Sequence, residues 1–154
     1  MKLPWPHIVE ADPVSTAASG LFAQRTRMNV LANNIANVNT TRDEKGNFAP
    51  YLRKEILFKT AEINPDKPDE QGVLVHQILP SNMPLRRVYE PEHPEADEKG
   101  YRFEPSVKVT QEMANFIEAS RAYEANLNAM KIASESMGQT IGILDDKAAL
   151  NDES

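Results

Sequence analysis

The 154-residue chain reads as an α+β protein: two long terminal helices pairing as a coiled-coil-like hairpin, with a small β-rich insert between them. Three observations predict this. The 11 prolines stand at Pro4, Pro6 and Pro13 and then eight times from Pro50 to Pro105, leaving Val14–Ala49 and everything past Pro105 free of them. A proline inside a helix costs about 3 kcal/mol, so the ends permit helix and the middle opposes it. Charge divides the chain the same way. Arg25 and Arg27 are the only charges from Val14 to Thr40, whereas Thr41 to Pro105 carries 10 basic and 13 acidic residues. Finally, both proline-free ends carry apolar heptads. The expected divisions are an N-terminal extension 1–13, a helix 14–40, a β-rich insert and loop 41–105, a helix 106–144 and a disordered acidic tail 145–154.

The N-terminal helix rests on two interleaved series, Val14, Leu21, Met28, Ile35 and Ala17, Gln24, Leu31, Val38, apolar at all but Gln24. Asp12 or Ser15 suits the N-cap, and Pro13 suits the first turn. Asn39 and Thr40 favour a turn at its end. In the insert, Tyr51–Thr60 and Gly72–Leu79 alternate as strands of a hairpin around a loop at Asn64–Gly72, and Leu85–Tyr89 adds a short third strand. Glu90–Gly100 is a turn-rich loop by composition. The C-terminal helix follows Phe116, Tyr123, Met130, Met137, Leu144 and Met113, Ser120, Leu127, Ser134, Ile141. At 1.5 Å per residue it would run about 58 Å, against about 39 Å for its partner. The shorter helix covers only part of the longer one, so the rest must pack on other chains. An assembly protein is therefore the expectation, with an interface drawn from Leu21, Met28, Leu31, Ile35, Phe116, Tyr123, Leu127, Met130, Met137 and Ile141. Asn33, Asn34 and Asn37 join it from the asparagine-rich face that also holds Asn29. That face is either an exposed polar surface or a set of interhelical amides that fixes register between subunits, as a buried Asn does in coiled coils.

Composition narrows function by exclusion. A formal charge of -6 opposes nucleic-acid or anionic-membrane binding, both of which need a basic patch. Without cysteine there is no disulfide frame, thiolate metal site or cysteine nucleophile. No apolar run approaches the roughly 18 residues of a membrane span, and Met1–Pro13 lacks the form of a secretory signal peptide. No phosphate loop, nucleophile elbow or zinc-helix motif occurs. His93 stands among Glu92, Glu95, Asp97 and Glu98, but one histidine in an acidic loop is better read as solvated than as a metal ligand. Arg86-Arg87 is a small basic site for a neighbouring subunit's acids or plain exposed charge.

Met28-Asn-Val-Leu-Ala-Asn-Asn-Ile-Ala-Asn-Val-Asn-Thr-Thr41 resembles the N-terminal signature of bacterial flagellar axial proteins of the rod and hook. Ile117-Glu-Ala-Ser-Arg-Ala-Tyr-Glu-Ala-Asn126 resembles their C-terminal signature. Tyr89–Tyr101 and Pro50-Tyr-Leu-Arg-Lys54 are similar to the FlgC family of proximal rod proteins. The likeness spans roughly Ser15 to Leu144. It implies a structural, non-enzymatic rod subunit without cofactor or metal. Its partners would be other copies of itself, other rod proteins, and export-gate or adaptor proteins at the rod base. It implies export by the flagellar type III apparatus without a cleaved signal, to the rod in the periplasmic space. The chain departs from the family pattern in its longer, proline-rich start and in its tail past Leu144. A sibling axial protein or adaptor is the second reading, opposed by the Tyr89–Tyr101 segment. A small metal-binding or hydrolytic domain is the third, and no motif supports it.

Overall fold

Two helices and two β-ribbons follow in the order α1 (Pro13–Ala36), β1 (Lys54–Asn64), β2 (Lys67–Pro80), β3 (Arg86–Tyr89), β4 (Tyr101–Glu104) and α2 (Val109–Asp152). This computed structural model describes residues 12–64 and 67–152, with side chains over 12–63 and 71–143. The α+β expectation holds, and nearly all of the expected N-terminal extension lies outside the described residues. Asp12 caps α1: its Oδ1 accepts the Val14 N–H at 2.9 Å, and Pro13 takes the first turn. Asn37 leaves helical geometry at φ -102°, ψ 15°, so α1 ends at Ala36, slightly before the expected turn. At the other end α2 starts at Val109, after an irregular 105–108, and runs to Asp152. Helical backbone thus continues through most of the segment expected to be a disordered tail. Lys147, Ala148, Ala149 and Leu150 are good helix formers, and Gly138 and Gly142 do not break the run.

The helices pair antiparallel. Gly20 lies against Asn126, Arg27 pairs with Glu118 at 3.6 Å, and Asn34 bonds Glu112 at 3.0 Å. Numbers rising on one helix meet numbers falling on the other. The seam differs from the expected apolar heptads. Towards α1, α2 turns Glu112, Ala119 and Asn126, seven residues apart, and Ala119 is fully buried. Across the seam, α1 offers Ala17, Gly20 and Ala23. A Cβ on Gly20 would stand 2.8 Å from Asn126 Nδ2. Small residues let the helices close up, which leaves the large heptad residues Met113 and Phe116 at the margin of the seam, exposed to water.

By the same register Pro13 reaches Ala129 and Ala133. Every side chain from Ser134 to Ile143 is exposed, and Ala133 just before them is half-buried. The stretch 134–143 is about 15 Å of helix that lies past the start of α1, with Pro13 at its edge among the described residues.

β1 and β2 form a two-stranded antiparallel ribbon along α1, with Lys54 opposite Pro80 and a bulge between Leu57 and Phe58. The strands run on through most of the segment expected to be a loop. Both are edge strands, where proline is tolerated. A two-stranded ribbon is only marginally stable in water and needs a support. Ser19 supplies one contact, its Oγ accepting the Val73 N–H at 3.1 Å. At Gly72 a Cβ would lie 2.6 Å from that Oγ and 2.4 Å from Ile63 Cδ1, so glycine is what lets the ribbon seat on α1.

β3 and β4 pair as a second hairpin, Arg86 opposite Glu104 and Tyr89 opposite Tyr101. The sequence reading found β3 but not β4, because Tyr101–Glu104 is short and half charged. Arg86 and Arg102 both pair with Glu104, and Arg102 also reaches Glu90 at 2.8 Å. The Arg87 guanidinium lies 3.7 Å from the Tyr101 ring centroid. Arg86 and Arg87 are thus engaged within their own hairpin, with the Arg86 side chain still largely exposed. Gly100 closes the turn at φ +77°, a conformation other residues rarely adopt.

The buried apolar side chains among the described residues are Ala17, Ala23, Val30, Leu31, Val107 and Ala119. Three are alanines, so the core is thin. The accessible surface is 11714 Å², against about 7,800 Å² for a compact folded monomer of this mass. The molecule is elongated and keeps much apolar surface in water.

Candidate assembly surfaces

One buried polar node joins the parts. Asn34 is fully buried in the last turn of α1. Its Nδ2 donates to Lys54 O at 2.9 Å and to Glu112 Oε2 at 3.0 Å. Its Oδ1 accepts the Tyr51 hydroxyl at 2.9 Å and the Lys54 N–H at 2.8 Å. Every hydrogen-bonding position of the amide is thus used. Glu112, 1% exposed, accepts Arg53 Nε at 2.8 Å on its other oxygen. Arg53 also donates to Glu55 at 2.7 Å, and Glu55 accepts the Ser81 hydroxyl at 2.8 Å. A buried carboxylate is tolerated when it is paired and hydrogen-bonded in this way. Burial, and then the Glu112 charge, raise the Tyr51 pKa above its usual 10.0, against the opposing pull of Arg53.

The node fixes α1, the start of β1 and α2 in one register. It does so within the chain, so the Asn34 amide sets register inside the subunit and not between subunits. The other asparagines of the face bond locally: Asn33 Nδ2 to Asn29 O and Asn37 Nδ2 to Asn33 O, each at 2.9 Å.

The remaining predicted interface residues divide by exposure. Leu31 is buried near Asn34 in the chain's own core. Leu21, Met28, Ile35, Asn37, Tyr123, Leu127 and Met130 are half-buried along the helix pair. Asn33, Phe116, Met137 and Ile141 are exposed. Two apolar surfaces gather the exposed apolar ones. At the end where α1 stops, Ala32, Ile35 and Ala36 face Met113, Phe116 and Ile117 across a groove. At the other end, Ile132, Met137, Ile141 and Ile143 stand out from the end of α2 that α1 does not cover.

Sequence reasoning missed Glu112, Arg53, Tyr51 and Ser81. A signal existed: Glu112 stands seven residues before Ala119 on the buried face, and an acid in that position requires a partner.

The acidic loop is occupied by its own chain. Glu95 binds Arg42 at 2.5 Å, and its pKa is lowered by the Thr41 hydroxyl and then by Arg42. Asp97 accepts the Tyr101 and Lys99 N–H groups at 2.8 and 2.9 Å, and the Tyr101 bond lowers its pKa most. His93 Nδ1 accepts the Glu95 N–H at 3.1 Å. These groups tie the 41–48 and 90–101 loops together. Among the described residues no helix is long and apolar enough to cross a membrane.

Known proteins share these parts. Residues 15–42, spanning most of α1 and its turn, match the family described as flagella basal body rod protein. Residues 104–143 match the family described as flagellar basal body rod FlgEFG protein C-terminal. The chain is 38% identical to the flagellar basal-body rod protein FlgC of Borreliella burgdorferi, over 85% of this chain and 95% of that one. It is 39% identical to the FlgC of Yersinia enterocolitica, over 81% and 90%. To the FlgC of Salmonella typhimurium it is 37% identical, over 81% and 90%. With both ends matched and relatives this similar along most of their length, the chain belongs to the FlgC family of flagellar basal-body rod proteins.

Proposed function

We propose that this chain, a structural subunit of the flagellar basal-body rod, builds the proximal rod through the apolar faces of its two helices. The observation that carries the reading is the uncovered end of α2, where Ile132, Ile141 and Ile143 are each at least 60% exposed. Apolar surface of that kind, exposed among the described residues, marks an interaction site. Packed side by side, long helices spread a shear load over many contacts, as a torque-bearing shaft requires. Its neighbours are other copies, other rod proteins and the export-gate or adaptor proteins at the rod base. The role is structural, a reading supported by the likeness to flagellar basal-body rod proteins.

A thin core also suits passage through a narrow channel. Marginal stability lowers the cost of unfolding for export by the type III apparatus, and burial in the rod then offsets the ordering entropy of roughly 1–2 kcal/mol per residue. The location that follows is the rod within the periplasmic space. The test compares basal bodies from wild type with a strain lacking this gene. The reading expects the chain in wild-type basal bodies, and neither rod nor motility in the deletion. Normal basal bodies without the chain would contradict it.

A further inference from the structure

We propose that two copies of this chain associate outside the rod by stacking the outer faces of their β1–β2 ribbons, antiparallel and about a two-fold axis. The contact goes beyond the rod-subunit reading and uses neither terminal helix.

Register and alternation define the outer face. Residues paired directly across a ribbon share a side, and the side reverses at each step along a strand. Gly72, paired with Ala61, lies against Ser19 of α1. Leu57, on the same side, shares a cleft with Val30 and Leu31 of α1. The pairs Ile56–Ile78, Phe58–Val75 and Thr60–Val73 therefore turn away from α1. Five of these six side chains are apolar, and Phe58, Val73 and Ile78 are 37%, 39% and 44% exposed. A ribbon with one side on a core and one in water normally keeps the water side polar. An apolar sheet face in water is instead suited to a second sheet, packed about 10 Å away.

Charge selects the occupant. On the outer side Lys54 stands four residues before Phe58 and Glu62 four residues after it, and both are exposed. Lay two such faces antiparallel, with the axis crossing Phe58 and Val75. Lys54 of each copy then stands over Glu62 of the other. Laid parallel, the faces would set lysine over lysine and glutamate over glutamate. The face thus complements itself in one orientation, which is the signature of an isologous contact with a second copy.

The face is two strands wide and nine residues long, about 10 by 30 Å. That is smaller than a standard stable interface, so the dimer forms at high concentration and parts readily. A two-fold contact closes on itself and points its copies in opposite directions, so it cannot repeat along a shaft. Entry into a rod requires the dimer to part.

The absence of cysteine makes the test direct. Val75 lies on the axis, so the full-length Val75→Cys chain, oxidised at high concentration, should give a disulfide-linked dimer. Gln77→Cys, exposed but on the side of Leu57, should stay monomeric. In the Val75→Cys chain, Lys54→Glu or Glu62→Lys should each cut the yield about tenfold by setting like charges together. The two together should restore it. Thermal melts matching the parent separate loss of contact from loss of fold. Monomer from Val75→Cys, equal linking by Gln77→Cys, or linking indifferent to the charge exchange overturns the proposal. So does loss of linking on Ile143→Asp, which would put the contact on the helices. Linking of Val75→Cys to a different protein in cells, and not to itself, also overturns it. All of these outcomes leave the rod reading intact, whereas absence of the chain from basal bodies would overturn that reading alone.

Discussion

Asn34 holds the molecule together through four hydrogen bonds to segments far apart in sequence. Truncation to alanine leaves the Lys54 N–H, the Tyr51 hydroxyl and Glu112 short of a partner, and stranded buried groups cost about 1–3 kcal/mol. Asn34→Ala should therefore lower the melting temperature by roughly 5–10 °C in a domain of this size. The isosteric Asn34→Asp should do no better, because it sets a carboxylate against Glu112. Asn33→Ala, one residue away but exposed, should stay within about 0.5 kcal/mol of the parent. Equal losses at both positions in a thermal melt would count against the node.

The loop carboxylates make a second prediction at this scale. Asp43, Glu95 and Asp97 all have their pKa values lowered in the folded chain. The largest causes are the Asn47 side-chain amide, the Thr41 hydroxyl and the Tyr101 N–H respectively. A lowered folded-state value contributes stability above the ordinary 3.8 of Asp and 4.5 of Glu. That stability is lost as pH falls through the lower folded values. Amide exchange in 41–48 and 90–101 should accelerate below about pH 4, relative to the node, while Tyr51 acts oppositely. Its raised value favours the fold up to about pH 10, and that contribution fades as the pH rises further. Loop exchange indifferent to acid would show that these bonds do not order the loops.

Among the elements, glycine and alanine decide which side chains the helices hide. Gly20 and Ala119 bring α1 and α2 into close approach, so Phe116 and Met113 are left outside the seam. The sequence showed two helices, their caps and the first hairpin, because proline spacing and period-2 alternation are local signals. It did not show the seam, because apolar heptads fit an interface inside the chain and one between chains equally well. It missed β4, whose pairing with β3 depends on cross-strand ion pairs. It also assigned Asn34 and Leu31 to the assembly interface, whereas both are buried inside the subunit, since a helix's burial direction depends on what packs against it. Substitutions separate the two kinds of position. Leu31→Asp should unfold the subunit, by about 4 kcal/mol or more. Ile143→Asp should leave the subunit's melt within about 0.5 kcal/mol and abolish rod assembly, read as swimming in a complementation strain. The ribbon has its own control. Gly72→Val should lift β2 from α1 and raise proteolysis between Lys59 and Gln77, leaving the helix pair intact. Unchanged proteolysis would show that the ribbon does not need Ser19.

On the scale of the whole molecule, six small and medium apolar side chains are buried among the described residues, beside an exposed stretch of helix, 134–143, about 15 Å long. The fold is adequate for a subunit and incomplete as an isolated body. In the proposed rod, neighbouring subunits supply the missing burial. Hydrogen exchange on the isolated chain and on basal bodies tests it most directly. In the isolated chain the amides of 134–143 should exchange much faster than those of 112–126, which pair with α1. In basal bodies the two stretches should be protected alike. Strong protection of 134–143 in the isolated chain, or none in the basal body, would contradict the account.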